Sequence, residues 1–166
     1  FADTKAASLS LVLCKEAKIT MPLSNSENPK KGRDFEEKVR QTLEKKYKTK
    51  FKSRSINIGV PSKAHIFDLV SEDGNIVVEC KNYSWTETGK IPSAKTAFLN
   101  QAVLYFSYLP ARSKKIIVLR KDNHPHRKES LAEYYVRTYY HLLNKVVIME
   151  LDINNLNIRE VERKSA

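Results

Sequence analysis

A predicted β-hairpin is the feature that most constrains how this chain can fold. The segments AHIFDLVS at 64–71 and NIVVECKNY at 75–83 are rich in β-branched and aromatic residues. Asp73 and Gly74 stand between them, and Asp-Gly is a strong signal for a two-residue hairpin turn. Because the turn fixes the register of the two strands, the sequence predicts which side chains face each other.

The predicted register brings charged residues together on one face of the hairpin. Counting back from the turn, Val70 faces Val77 and Asp68 faces Glu79. Opposed residues share a face, with Cβ atoms roughly 4.5–5.5 Å apart, and alternation adds Lys81 to that face. Two opposed carboxylates repel each other, so Lys81 or a cation such as Mg²⁺ is needed to offset the repulsion. The alternative interpretation is a surface salt bridge at an exposed end of a sheet.

The rest of the chain alternates predicted helices with predicted strands. Apolar residues recur at helical spacing in some segments, and others are continuous apolar runs typical of buried strands. The expected helices are at 32–47, 91–110 and 129–143, and the expected additional strands are at 55–60, 114–121 and 145–153. This order predicts an α/β fold, with a mixed central β-sheet flanked by helices on both faces.

The 166 residues suit one domain with one sizeable core. We expect an N-terminal extension and linker at 1–31, with a short helix within 1–20, then a folded domain at 32–158 and a charged, fraying tail at 159–166. Two cysteines provide neither a disulfide framework nor a zinc cluster. Since no apolar run approaches the roughly 20 residues of a membrane span, we expect an intracellular, cytoplasmic protein without a membrane segment.

The charge balance favours a polyanionic partner. Lys and Arg number 30 against 19 for Asp and Glu, which gives a net charge of +11. Nucleic acid and an anionic membrane are the two partners that such a balance suits.

Four elements of the sequence, GRDFEE, Asp68, the Glu79–Lys81 tripeptide and QAVLY in chain order, resemble a known nuclease superfamily. Asp68 followed by the Glu79–Lys81 tripeptide is similar to the D…ExK signature of the PD-(D/E)xK, or restriction-endonuclease-like, superfamily. GRDFEE at 32–37 resembles its G-x-x-F-E element, and QAVLY at 101–105 resembles its Q-x-x-x-Y element. Phe67 stands where the family pattern often has proline. The predicted element order also matches the core of this superfamily.

The resemblance implies a restriction-endonuclease-like core, αβββαβ, with an extra helix and strand after it. It further implies a Mg²⁺-dependent DNA endonuclease of the restriction or repair type, with Mn²⁺ able to substitute. Asp68 and Glu79 would ligate the metal, and the backbone carbonyl of Cys80 would be a further ligand. Lys81 would orient or activate the attacking water. A homodimer is also expected, because related enzymes often pair to cut two strands.

Two helical residues are further candidates for the site. Glu36 lies at the border of the apolar stripe of its helix, roughly 60° from the stripe centre, so it could reach the metal directly or through water. Its alternative role is that of a solvated helix flank. Gln101 shares a helical stripe with Tyr105, and we place its amide near a phosphate or Lys81, or alternatively in a structural bond to backbone.

Five residues are candidates for contacting nucleic acid. Lys52 and Arg54 precede the first expected strand, and Lys90 and Lys95 flank the start of the helix after the signature. Trp85 lies in a polar loop, where it could contact nucleic acid or gate the site. A solvated charged surface is the alternative for each basic residue. The alternative functions are a non-catalytic nucleic-acid-binding module on the same fold, or a nuclease for RNA or branched DNA.

Overall fold

The computed structural model describes residues 27–163, so the expected helix within 1–20 lies outside the described residues. The described helices are α1 (Glu27–Tyr47), α2 (Ser93–Ser107) and α3 (Leu131–Tyr139), which continues into a 3₁₀ turn at Tyr140–Leu142. The described strands are β1 (Phe51–Ile58), β2 (Lys63–Ser71), β3 (Ile76–Lys81), β4 (Lys114–Arg120), β5 (Val147–Leu151) and β6 (Ile158–Glu160). No helix in this part of the chain is long and apolar enough to cross a membrane.

The six strands form one mixed sheet in sequence order. β1, β2 and β3 are antiparallel neighbours, β3, β4 and β5 are parallel, and β6 is antiparallel to β5. The crossovers through α2 and α3 step in the same direction along the sheet, from β3 to β4 and from β4 to β5. Because such crossovers share one handedness, α2 and α3 lie on the same face of the sheet. The predicted α/β fold, with a mixed sheet and helices on both faces, is confirmed.

The sheet separates two apolar cores. On one face α1 packs its predicted stripe, Phe35, Val39 and Leu43, against strand residues such as Val78 and Ile116. On the other face α2 and α3 cover the sheet. The main buried side chains of that second core are Phe67, Val70, Val77, Leu99, Phe106, Ile117, Leu119, Tyr135 and Ile148.

The predicted register of the hairpin is confirmed at its centre. Val70 pairs with Val77, and Leu69 pairs with Val78. The described pairing stops there, so Asp68 and Glu79 are not a regular cross-strand pair. β2 and β3 separate at this point.

A β-bulge in β2 lies next to this separation. Lys52 pairs with Val70 but Arg54 pairs with Phe67, so two steps along β1 match three along β2. Because a bulge breaks the alternation of side chains, Phe67 and Val70 both pack into the core beneath α2. The extra residue falls at 68–69.

The described secondary structure extends past the expected segment boundaries at both ends. α1 begins at Glu27, so the proposed linker at 1–31 ends inside a helix. At the other end, β6 pairs with β5 and Val161 is buried, so the first residues of the expected tail at 159–166 belong to the sheet. β6 has only three residues, two of them charged, so its sequence cannot be told from that of a charged tail.

Candidate active site

Lys81 joins two carboxylates at the end of β3. Its Nζ atom lies 2.6 Å from Oε2 of Glu79 and 3.9 Å from Oδ2 of Asp68. The Glu79 side chain is almost fully buried, whereas those of Lys81 and Asp68 are 20% and 23% exposed. The convergence that the hairpin register predicted is therefore present, and two of its three members are partly open to solvent.

The carboxylate of Asp68 fills the gap between β2 and β3. Oδ2 accepts a hydrogen bond from the backbone N–H of Cys80 at 2.7 Å, where a regular ladder would use a carbonyl oxygen of β2. The N–H and C=O of one residue in an extended strand point to the same side. The carbonyl oxygen of Cys80, expected to be a metal ligand, is therefore directed toward the same gap.

Negative charge is in surplus at this end of the sheet. Burial raises the pKa of Glu79, and although Lys81 opposes this, Asp68 raises it further. Burial also raises the pKa of Glu36 on α1, and the next largest cause is the charge of Asp68. Glu36 therefore lies within electrostatic reach of the cluster, as its position on the helix suggested. Glu37, its neighbour, is exposed and forms ion pairs with Arg40 instead.

Lys81 stays protonated despite its environment. Burial acts to lower the pKa of its ammonium, but the charge and hydrogen bond of Glu79, followed by the charge of Asp68, outweigh burial and raise it. A protonated lysine among carboxylates donates hydrogen bonds and does not act as a base at neutral pH. Its chemical capability here is to orient a water molecule or to stabilise charge on a phosphate oxygen.

His65 belongs to the site and was missed by the sequence analysis. Its Nε2 atom lies 3.4 Å from Oε1 of Glu79, and its ring centroid lies 4.3 Å from that of Tyr105 on α2. Strict alternation would place His65 on the opposite face from Asp68. The bulge in β2 removes that alternation, and no signal in the sequence indicates the bulge.

The donor atoms suit a hard divalent cation by type. Asp68, Glu79 and the Cys80 carbonyl offer oxygen, which Mg²⁺ prefers, and Mg²⁺ usually binds through one or two carboxylates and several waters. However, Glu79 already uses one oxygen toward Lys81 and the other toward His65. Accordingly, no three His, Cys, Asp or Glu side chains of residues 27–163 are arranged as a metal-binding group. For Glu79 to ligate a cation, Lys81 or His65 would have to release one of its oxygens.

Gln101 does not reach the cluster. The stripe of α2 that it occupies is the exposed one, while Thr96, Leu99, Ala102 and Phe106 form the buried stripe. Its amide is exposed and has no hydrogen-bond partner among the described residues. Contact of Gln101 with a phosphate stays a prediction, and no bond to Lys81 or to backbone is found among the described residues, although Tyr105 on the same stripe does contact His65.

Of the two lysines at the start of α2, Lys95 lies near the cluster. Its Nζ atom is 3.5 Å from the carbonyl oxygen of Ser84 and 5.9 Å from the ring centroid of Tyr83. Burial raises the pKa of Tyr83, and Lys81 partly opposes this, so Tyr83 adjoins the charged cluster. Lys90 is exposed in the preceding loop, and its backbone bonds to Thr86.

Trp85 is buried, which does not favour the expectation that it contacts nucleic acid or gates the site. Its ring lies 4.8 Å from that of His124 and 5.3 Å from that of Tyr134, and its backbone N–H bonds to Asp122. The polar residues around Trp85 suggested an exposed loop. The loop instead packs on residues that are distant in sequence, which the local pattern cannot indicate.

The two basic residues of β1 lie apart from the cluster. Arg54 donates a hydrogen bond to the carbonyl oxygen of Glu72, in the turn at the opposite end of β3 from Lys81. Lys52 is exposed on the same strand. Their contact with nucleic acid stays a prediction, and the geometry does not favour it for Arg54.

The comparisons with known proteins gave no match: no family model, no curated protein and no solved structure is similar to this chain at a significant level. The chemistry of the site is therefore inferred from its own geometry and from the motifs in the sequence.

Proposed function

We propose that this protein is a Mg²⁺-dependent nuclease that hydrolyses phosphodiester bonds in DNA, with a restriction-endonuclease-like core. One observation carries the proposal: Asp68, Glu79 and Lys81 meet at a break in the sheet, where two of them are partly exposed. The net charge of +11 supports a polyanionic substrate. The order of α1, the β1–β3 meander, α2 and β4 also fits the proposed core.

Each residue has a defined role in this proposal. Asp68, Glu79 and the Cys80 carbonyl would hold the metal, and Glu36 would extend the acidic site from α1. The chemistry that a bound Mg²⁺ would supply is polarisation of the phosphoryl oxygen and a lowered pKa of bound water. Lys81, once it has released Glu79, donates to a non-bridging phosphate oxygen and orients the attacking water.

A second candidate is a nucleic-acid-binding module without catalysis. One observation favours it: both carboxylate oxygens of Glu79 already face protein side chains, those of Lys81 and His65. If DNA and metal do not separate Lys81 from Glu79, the carboxylates stay neutralised inside the protein. The expected homodimer, the cytoplasmic location and activity on RNA or branched DNA also stay predictions.

Cleavage of supercoiled plasmid with Mg²⁺ or Mn²⁺ tests the proposal. We expect the wild type to nick or linearise the plasmid and Asp68→Ala and Lys81→Ala to lose about 100-fold or more of the rate, because each removes charge stabilisation from the transition state. Glu37→Gln is the matched control, since Glu37 is an exposed acid on the helix that carries Glu36.

Two results would decide against the proposal. Activity that survives both alanine substitutions would exclude this cluster as the catalytic site. Salt-dependent DNA binding by all variants, with no cleavage under either metal, would favour the non-catalytic module.

A further inference from the structure

A cleft between α2 and the turn that joins β1 to β2 reaches His65, the neighbour of Glu79. Its volume is about 480 Å³. The lining residues that matter for its chemistry are Val60, Lys63, His65, Leu104, Tyr105 and Tyr108.

The walls of this cleft expose large apolar and aromatic side chains. Val60 is 98% exposed, and Leu104 and Tyr108 are each 54% exposed. Large apolar side chains that are clustered and exposed around a concave surface indicate a binding site, whereas a single exposed one needs no explanation.

The charge of the lining restricts the partner. It contains no Asp or Glu, and Lys63 supplies an ammonium at the rim. A cleft with aromatic rings and a cation, but no acid, suits a ligand with both flat apolar faces and negative charge. Nucleotides combine these two properties.

His65 lines the cleft and also contacts the charged cluster. The ring centroids of Tyr105 and His65 are 4.3 Å apart, and His65 Nε2 lies 3.4 Å from Oε1 of Glu79. His65 therefore links the cleft to the cluster, and a strand bound in the cleft would have the cluster beside it.

We propose that this cleft binds an unpaired DNA strand next to the scissile phosphate, with a base stacked on the exposed ring of Tyr108. Bases in a duplex already stack on their neighbours, so only an unpaired or extruded base offers its face to a protein ring. The substrate class would then be single-stranded DNA or DNA with an unpaired end or flap. This inference rests on the proposed function for the position of the scissile phosphate, but not for the binding of the strand.

Binding measured without divalent cations tests the cleft separately from catalysis. The probes are fluorescein-labelled oligothymidylate and a duplex of the same length, followed by fluorescence anisotropy in EDTA. We expect oligothymidylate to bind more tightly than the duplex. Tyr108→Ala should weaken its binding at least about fivefold, because stacking on one ring is lost, and Tyr108→Phe should retain it.

Tyr140→Ala is the matched control, because Tyr140 is 52% exposed and lies on the 3₁₀ turn after α3, outside the cleft. We expect it to bind oligothymidylate as the wild type does. Equal binding of the duplex, or equal affinities of Tyr108→Ala and Tyr140→Ala, would overturn the inference. Selective binding that depends on Tyr108, in a protein that cuts no DNA, would support the inference while the proposed function fails.

Discussion

Two buried glutamates lie two strands apart in the sheet and have opposite surroundings. Glu79 on β3 faces Lys81 and His65, with other carboxylates near it. Glu150 on β5 accepts hydrogen bonds from the hydroxyl of Ser130 and the guanidinium of Arg159, and only 1% of its side chain is exposed.

The surroundings of Glu150 are those of a structural ion pair. Ser130 is the N-cap of α3 and forms a capping box with Glu133, and Arg159 on β6 binds both Glu133 and Glu150. The network thus joins α3, β5 and β6. Hydrogen bonds from a fixed guanidinium and a capping hydroxyl satisfy a carboxylate without leaving it open to a substrate.

The contrast shows that burial of a carboxylate does not by itself indicate catalysis. What distinguishes the Glu79 region is that several acids compete for one lysine, and that Asp68 and Lys81 stay partly exposed. In the Glu150 region the ionic groups stabilise the fold. In the Glu79 region burial and the charge of Asp68 raise the pKa of Glu79, so its charged form costs stability, and carboxylates perturbed in this way cluster at functional sites.

The largest difference between the two regions is expected from Glu79→Gln. We predict that cleavage falls about 100-fold or more, because a carboxylate that would hold the metal is lost. The free energy of unfolding should not fall, since the raised pKa of Glu79 shows that the site favours the neutral form. Plasmid cleavage and urea denaturation measure the two effects. Retained activity would contradict the comparison.

Glu150→Gln should give the reverse result. We predict a loss of about 1–3 kcal/mol in the free energy of unfolding, because charged hydrogen bonds to Arg159 and Ser130 are weakened. Cleavage should stay within about twofold of the wild type under conditions where both proteins are folded. Equal free energies of unfolding for Glu150→Gln and Glu79→Gln would contradict the comparison.

The smallest effect concerns pH. The folded-state pKa of Glu79 is raised above its ordinary value of 4.5, so in the window between these two values the folded state binds more protons than the unfolded state. The contribution of Glu79 to stability therefore falls as pH rises through that window and stays constant above it. Glu79→Gln lacks this contribution, so its stability relative to the wild type should increase from pH 4.5 to neutral pH. Urea denaturation of both proteins at pH 4.5 and at neutral pH measures the difference between their free energies of unfolding. A difference that is the same at both pH values would count against the raised pKa of Glu79.

The sequence predicted the scaffold of the site well, because that scaffold depends on local signals. The register followed from Asp73 and Gly74, although the turn spans four residues and the Asp73 carboxylate bonds to Ser71 and Asn75. Alternation along β3 placed Lys81 beside Glu79. The apolar stripe of α1 brought Glu36 near the cluster.

The remaining features depend on contacts between distant residues. The bulge in β2 brings His65 to Glu79, and it is visible only in the pairing of β2 with β1. Trp85 is buried by His124 and Tyr134, which follow it by dozens of residues in the chain. Gln101 lies on the exposed face of α2, and which face is exposed depends on how α2 packs on the sheet. Periodicity within one segment contains none of this information.

The most direct test of the account is a Mn²⁺ titration of the wild type, Asp68→Asn and Glu150→Gln, followed by electron paramagnetic resonance. We predict saturable binding to the wild type and to Glu150→Gln, with at least about tenfold weaker binding to Asp68→Asn. Wild-type protein that binds no Mn²⁺, or Asp68→Asn that binds it as tightly as the wild type, would contradict the claim that Asp68 and Glu79 form a metal site.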